Sequence, residues 1–297
     1  IALLVCNHSG SYLGPHDNFY WRYKMKIRQV TLSGMIFLLS VFAPLAQAQK
    51  LKPEEIIAKH LDSITTADKR ALIKSIIAVG EVKVEYISQK NQPASGRIVI
   101  ASEGQKMFYG MSLNASDYAQ ERIVFDGNKT SVGFVRAGAR SVLGNFIQSN
   151  NSLVSQGLLA GALTSSWALL AAADRGAKIS SGTKKIDGKE YYTLNFSPKK
   201  GGDIDINMYF DQQTFRHVRT EYSRTSSSSI GRTIDDSARQ NESRIKVTEE
   251  FSDFKDFMGV SFPNKYKLHY MVSGGSTTEI SWSCNLSEFA INQAIDA

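Results

Sequence analysis

A period-two alternation of apolar and polar residues constrains this chain most. In the run that begins at Val79, Val82 and Val84 alternate with Lys83 and Glu85, and similar runs recur along most of the chain. Short turn signals such as Asn-Gln-Pro and Asp-Gly-Asn separate them, which predicts antiparallel strands joined by hairpins. No strand–helix–strand rhythm supports a doubly wound sheet. The sequence predicts a mainly β (α+β) fold, in which a large curled antiparallel sheet of about ten to twelve strands forms a half-open barrel.

Two segments depart from this alternation. Residues 53–77 place apolar side chains at helical spacing after Pro53, and a break at Thr65-Thr66 predicts a second short helix that ends at Ile76. Residues 140–174, called the insert below, carry almost no charge and are the most apolar part of the chain after the leader. Three glycines interrupt the insert, which predicts two or three short helices with flexible joints. We expect the insert to form an apolar lid over the sheet.

The stretch 25–48 has the pattern of a bacterial secretory signal peptide. Two bases precede a short apolar core, and Ala46-Gln47-Ala48 forms a small-x-small cleavage site. An uncleaved membrane anchor is the alternative, but the apolar run of about a dozen residues is shorter than the roughly 20 that a spanning helix needs. Residues 1–24 show no periodic pattern and are interpreted as a non-native or mis-started leader. The prediction is therefore a leader at 1–24, a signal peptide at 25–48, and one domain at 49–297 that functions in the periplasm.

The charge and cysteine content of the mature chain exclude two classes of protein. Removal of residues 1–48 takes away four bases and one acid, which lowers the net charge from +7 to about +4. The remaining bases are scattered, so we expect no nucleic-acid partner. Cys284 is the only cysteine left, so a disulfide framework is excluded and Cys284 is interpreted as a small buried side chain.

Chemistry-bearing motifs are lacking in the sequence. His60, His217 and His269 lie in separate predicted elements, and none has a partner at metal-ligand spacing. A Gly-x-Ser-x-Gly elbow and a phosphate-binding loop are both missing. Acidic residues such as Glu249 and Asp253 are interpreted as solvated, while a hydrolase with dispersed carboxylates stays an alternative. We predict no catalytic residue, no metal, no cofactor and no enzymatic activity.

Several short motifs follow one another in a characteristic order. They occupy residues 53–61, 100–104, 124–127, 186–191, 209–219, 251–254 and 259–263. In order and spacing they resemble the LolA-like outer-membrane lipoprotein carriers, and in particular the longer lipoprotein-sorting proteins, over most of residues 50–295. The segment 209–219, a strand, a tight turn and a returning strand, matches best. The insert and the polar hairpin 223–243 are longer than in the short carriers.

The resemblance implies a periplasmic carrier. It implies that a half-open barrel closed by helices shields the acyl chains of lipoproteins during transfer towards the outer membrane. It also implies loading by an inner-membrane transporter and unloading by an outer-membrane receptor, and we expect a monomer. The alternative is a periplasmic binding or scaffold protein of the same fold, for another lipid or amphiphile, without lipoprotein transport.

The candidate site residues are apolar or aromatic side chains of the strands and the insert. The predicted cavity and lid residues are Phe108, Phe125, Phe134, Phe146, Leu158, Leu163, Trp167, Met208, Phe210, Tyr270 and Trp282. In the family that the chain resembles, a strand arginine holds the lid closed. Arg97 is the candidate for that role.

Overall fold

The computed structural model describes residues 51–199, 202–226, 243–274 and 277–295. The predicted leader and signal peptide, and most of the polar hairpin 223–243, lie outside the described residues. The described residues belong to one compact unit, Lys50–Ala297. Among them, no helix combines the length and the apolar character that crossing a membrane requires.

In the part of the chain that the structure describes, two helices precede the sheet. Helix α1 (Pro53–Ile64) begins with a proline in its first turn, and the Glu55 carboxylate accepts a hydrogen bond from the backbone N–H of Lys52 at 2.8 Å. Helix α2 (Ala67–Leu72) follows the predicted break. The prediction that α2 reaches Ile76 is wrong, because the first strand already begins at Ser75. The alternating burial of this β-branched stretch favours a strand over another helical turn.

Twelve strands of the described residues form a single antiparallel sheet. They are β1 (Ser75–Tyr86), β2 (Ala94–Glu103), β3 (Lys106–Leu113), β4 (Gln120–Phe125), β5 (Thr130–Val132), β6 (Lys178–Ile186), β7 (Lys189–Ser197), β8 (Asp205–Asp211), β9 (His217–Ser226), β10 (Ser243–Phe257), β11 (Val260–Ser273) and β12 (Thr278–Ile291). Their order is β5-β4-β3-β2-β1-β12-β11-β10-β9-β8-β7-β6. Each strand except β1 and β12 therefore pairs only with strands next to it in sequence, and β1 and β12 join the two halves.

The sheet is curled but not closed within the described residues. Three strands separate β3 from β11, a distance of about 19 Å along a flat sheet. Nevertheless the rings of Tyr109 on β3 and Tyr266 on β11 have centroids 6.4 Å apart. Only a strongly curved sheet brings these two side chains together, and this confirms the predicted half-open antiparallel architecture.

The insert connects the two edges of the sheet. Edge strands β5 and β6 are consecutive in the chain, and the residues between them contain helix α3 (Val142–Ser149), helix α4 (Ser152–Ser155) and two 3₁₀ turns (Gly161–Leu163 and Ala168–Ala171). This confirms the prediction of short helices with irregular joints. Because the connection runs from one edge to the other, it covers the concave face of the sheet.

Candidate functional site

Nine of the eleven predicted cavity and lid residues lie together in the core between the sheet and the insert. They are at most 7% exposed and comprise Phe125, Phe146, Leu158, Leu163, Trp167, Met208, Phe210, Tyr270 and Trp282. Strand residues reach this face by the period-two rule, and insert residues reach it from above. The structure therefore brings the two predicted groups of residues into contact.

The other two aromatic residues lie elsewhere. Phe134 is 48% exposed, and the guanidinium of Arg140 lies over its ring at 4.3 Å. Phe108 points to the convex face because its neighbour in sequence, Tyr109, occupies the concave one. There it lines an outer groove of about 550 Å³. The period-two pattern of β3 was enough to place Phe108 and Tyr109 on opposite faces of the sheet.

Arg97 also lies on the convex face. On β2 it has the opposite orientation to Ser102, whose hydroxyl contacts the insert by accepting a hydrogen bond from the backbone N–H of Ser165 at 2.8 Å. The Arg97 guanidinium instead lies 3.4 Å from the Glu288 carboxylate, and both side chains are exposed. The structure thus does not bring Arg97 to the insert, and other residues hold the insert in place.

The insert fills the space in which a cavity was expected. The cavities that border it next to α1 have volumes of about 10 and 40 Å³. A dry cavity of about 150 Å³ admits a molecule as small as benzene, so neither of these two spaces accepts an acyl chain. A larger pocket of about 330 Å³ opens where the insert begins and is lined by Val142, Ile280 and Trp282. Next to α1 the core is packed in this state, and binding of a large apolar ligand there requires that part of the insert move.

A fully buried carboxylate attaches the insert to the sheet. Glu249 on β10 accepts hydrogen bonds at Oε1 from the Ala160 backbone N–H at 2.8 Å and from the Tyr266 hydroxyl at 2.7 Å. The Tyr222 hydroxyl oxygen lies 2.6 Å from Glu249 Oε2 and 3.0 Å from the Leu158 carbonyl oxygen. These five residues are called the Glu249 cluster below. All five are 1% exposed or less, so the cluster contains no solvated group.

The number of hydrogens available for the hydrogen bonds of this cluster indicates that Glu249 is protonated. Tyr222 has one hydroxyl hydrogen but two acceptor atoms within reach. If Glu249 were ionised, Tyr222 could donate to only one of them, and two oxygen lone pairs would face each other. If Glu249 is protonated, its Oε2–H donates to Tyr222 and the Tyr222 hydroxyl donates to the Leu158 carbonyl. Burial raises the pKa of Glu249 in the same direction, and no ion pair of the described residues includes this residue.

Two histidines and Trp167 form a second contact between the insert and the rest of the core. The Trp167 indole N–H donates to His60 Nε2 at 3.0 Å, so His60 carries its proton on Nδ1 and donates to the Phe215 carbonyl at 3.1 Å. His217 stacks on the Trp167 ring with centroids 5.0 Å apart. Burial lowers the pKa of His60 to about 4 and that of His217 well below its ordinary value, so both rings are neutral.

A second buried acid lies where the insert begins. Glu121 on β4 accepts hydrogen bonds from the hydroxyls of Tyr118 and Ser141, and Ser141 in turn caps α3 by accepting from the Gly144 backbone N–H at 2.7 Å. Burial raises the pKa of the Glu121 carboxyl. The insert is thus held through polar groups at its start by β4 and in its middle by β10.

The sequence-based interpretation of the polar residues was partly wrong. Glu249 was expected in solvent but is 0% exposed. His60 and His217 do lie in separate elements, α1 and β9, as predicted, and the fold brings their ring centroids to 6.0 Å from each other, which was not expected. Glu249 alternates in phase with Val247 and Phe251 on the buried face of β10, and that phase was the available signal. The described residues contain no group of three or more potential metal-binding side chains.

Comparisons with known proteins found similarity only in the arrangement of the backbone. No protein-family model matches the sequence, and no curated protein matches it. A LolA superfamily protein from Nitrosomonas europaea aligns with 82% of this chain and 96% of its own, at 11% identity and a TM-score of 0.43. A DUF1329 family protein from Desulfovibrio piger aligns over 82% and 94% of the two chains, at 13% identity and a TM-score of 0.40.

The MucA/MucB complex of Pseudomonas aeruginosa gives a weaker alignment. It covers 81% of this chain and 100% of the matched chain, at 10% identity and a TM-score of 0.21. The first of the three structures is from the family that the sequence resembles. Since all three identities are 13% or less and all three TM-scores are below 0.5, these likenesses assign no function, and the fold class rests on the sheet itself.

Proposed function

We propose that this protein is a non-catalytic periplasmic carrier that shields the acyl chains of lipoproteins, and that the insert occupies the binding space until cargo displaces it. The single observation that carries the proposal is the nature of the insert. It is a segment with almost no charge that lies between the two edges of a half-open sheet, and its apolar side chains occupy the concave face. An inner-membrane donor and an outer-membrane acceptor are the partners that this proposal requires.

The free energy that is needed to displace the insert from the sheet restricts which cargo can replace it. Ten large apolar side chains of the insert are 4% exposed or less: Leu143, Phe146, Ile147, Leu153, Val154, Leu158, Leu159, Leu163, Trp167 and Leu169. Their burial stabilises the packed state by about 15–30 kcal/mol, at about 1.5–3 kcal/mol each. This exceeds the total stability of a typical domain, about 5–15 kcal/mol. The insert therefore leaves the sheet only when another apolar body replaces it.

The number of acyl chains decides whether that replacement is favourable. One chain with about 15 methylene groups contributes about 12 kcal/mol on burial, which is less than the lower bound for the insert. Two chains contribute about 24 kcal/mol, which lies within the range for the insert, and three contribute about 36 kcal/mol, which exceeds it. The proposal therefore favours a cargo with several acyl chains over a free fatty acid.

The experiment is native mass spectrometry of the purified protein with a three-chain lipopeptide or with palmitate. We expect a one-to-one complex with the lipopeptide and none with palmitate at the same concentration. Hydrogen exchange of the bound protein should show faster exchange in residues 157–170 than in the free protein. Binding without faster exchange would mean that the cargo lies elsewhere, for example in the outer groove.

The second candidate function is a periplasmic binding or scaffold protein in which the insert is a permanent part of the core. The observation that favours it is the completeness of the packing, including the hydrogen bond between Trp167 and His60. In that case neither the lipopeptide nor palmitate binds, and exchange in residues 157–170 stays slow. The same experiment therefore separates the two functions.

A further inference from the structure

The Glu249 cluster holds a short piece of the chain's own backbone as it would hold a ligand. The Tyr222 hydroxyl lies 3.0 Å from the Leu158 carbonyl oxygen, and Glu249 Oε1 lies 2.8 Å from the Ala160 backbone nitrogen. The sheet thus offers one donor and one acceptor to a carbonyl and an N–H that are two residues apart. The Leu158 carbonyl oxygen also accepts from the Gly161 backbone N–H at 3.4 Å, and the side chains around the segment belong to the apolar core.

The backbone segment in this position is folded in an unusual conformation. Gly157, Ala160 and Gly161 all have positive φ angles, of 69°, 63° and 50°. Ala160 is the informative one, because its Cβ disfavours the left-handed region that glycine adopts freely. The segment therefore adopts a local backbone conformation that costs free energy, and the contacts with Glu249 and Tyr222 offset this cost.

Removal of the segment takes away one hydrogen-bond partner from each sheet residue: the Tyr222 hydroxyl loses the Leu158 carbonyl as acceptor, and Glu249 Oε1 keeps only Tyr266 as donor. A buried polar group that loses its hydrogen bond destabilises the open state. A purely hydrocarbon ligand cannot restore these bonds, whereas a ligand with a carbonyl and an N–H at the same spacing can. A charged head group does not suit the site, because the hydrogen count makes Glu249 a neutral acid and no base is paired with it.

We propose that Glu249 and Tyr222 form a binding site for the amide groups of an N-acylated peptide. The acyl carbonyl takes the place of the Leu158 carbonyl and accepts from Tyr222. The N–H of the second residue takes the place of the Ala160 N–H and donates to Glu249 Oε1, since three covalently linked backbone atoms separate the two groups in both cases. This inference rests on the proposed function and adds a polar determinant of cargo choice to it.

The experiment is a competition between two synthetic three-chain lipopeptides. One has an N-palmitoyl amide and an ordinary second peptide bond, and the other has an ester oxygen in place of the second N–H. Deuterated chains on one of them separate their masses in native mass spectrometry. We expect the wild type to prefer the amide by about tenfold, as one buried hydrogen bond of this kind provides.

Three variants locate the preference. Glu249→Leu removes the acceptor and should reduce the preference to about equal binding, while Glu249→Gln keeps an acceptor oxygen and should retain it. Tyr222→Phe should weaken the binding of both lipopeptides to a similar extent, because both contain the acyl carbonyl. Tyr192→Phe is the matched control, since its hydroxyl lies outside the Glu249 cluster, and it should behave like the wild type.

The outcomes distinguish this inference from the proposed function. Equal binding of the two lipopeptides by the wild type would overturn the amide site and leave the carrier function standing. A tenfold preference that persists in Glu249→Leu would also overturn it. If neither lipopeptide binds, the carrier function fails and the amide site fails with it. The comparison within the wild type and Glu249→Gln keeps the test decisive if Glu249→Leu does not fold.

Discussion

Replacement of Glu249 by glutamine tests the proton that the hydrogen count places on this side chain. Glutamine keeps an oxygen that accepts from Ala160 and Tyr266, and its amide N–H donates to Tyr222 where the protonated acid would donate. The folded variant therefore keeps every hydrogen bond of the cluster. It loses the ability to ionise, and its second amide N–H has no acceptor in the cluster, which costs the same stability at every pH. The effect of ionisation therefore appears in the dependence of stability on pH.

The sign of that dependence follows from the burial of the carboxyl group. Burial raises the folded-state pKa of Glu249 above its ordinary value of 4.5. Below about pH 4.5 both the folded and the unfolded state bind the proton, and the wild type has its full stability. As the pH rises above this value the unfolded state releases the proton first, and the wild type loses about 1.4 kcal/mol per pH unit until the folded carboxyl also ionises.

Between pH 5 and pH 7 the free energy of unfolding of Glu249→Gln should rise relative to the wild type, by about 1.4 kcal/mol for each pH unit over which the folded carboxyl keeps its proton. Urea denaturation at pH 5, 6 and 7, followed by tryptophan fluorescence, measures this difference. The other buried acids and histidines are common to both proteins, so their contributions cancel.

Glu250→Gln controls for the removal of one carboxyl group from the same strand. Glu250 points away from the cluster and pairs with Arg219 at 3.0 Å. If the stability curves of the wild type and Glu249→Gln run parallel from pH 5 to pH 7, then Glu249 is ionised in the folded protein. That result would refute the proton assignment.

Three further predictions concern the core. Trp167→Ala should destabilise the protein by about 3–5 kcal/mol in urea denaturation. Leu170 is 39% exposed, so Leu170→Ala should destabilise it far less. Equal losses of stability would contradict the buried position of Trp167. The neutral form of His60, whose pKa is lowered to about 4, stabilises the protein fully above pH 6.5, and this stability is lost as the pH falls towards 4. His60→Gln should reduce that slope by up to about 1.4 kcal/mol per pH unit, and an unchanged slope would contradict it. Cys284 is buried, so a thiol reagent should label the folded mature chain much more slowly than the urea-unfolded one; equal rates would place Cys284 at the surface.

Much of the fold could be predicted because strands and turns have characteristic patterns in the local sequence. Period-two alternation identified the sheet, and low charge with three glycines identified the insert. The boundary between α2 and β1 was misplaced because Ser75 to Val79 is apolar enough for either element, and only its pairing with two neighbouring strands makes it β. The strand order could not be predicted, since nothing in the hairpins specifies that β1 pairs with β12.

The polar contacts of the site depend on such non-local pairing. His60 and Trp167 are 107 residues apart, and Ala160 and Glu249 are 89 residues apart. No sequence spacing relates residues at such distances. The phase of alternation on β10 would have placed Glu249 inside, but an acidic residue in a strand is usually assigned to solvent. The apolar half of the site was therefore predictable, and the polar half was not.

The division between apolar and polar contacts also determines what can replace the insert. The apolar side chains supply most of the free energy, but they are interchangeable with any hydrocarbon of similar volume. The hydrogen bonds from Glu249, Tyr222 and His60 supply less free energy, yet each demands a partner of defined type and position. A ligand that fills the volume alone leaves the Tyr222 hydroxyl without the acceptor that the insert supplies, whereas a ligand that also supplies a carbonyl and an N–H does not. Under the proposed function, these polar groups therefore select among apolar cargoes.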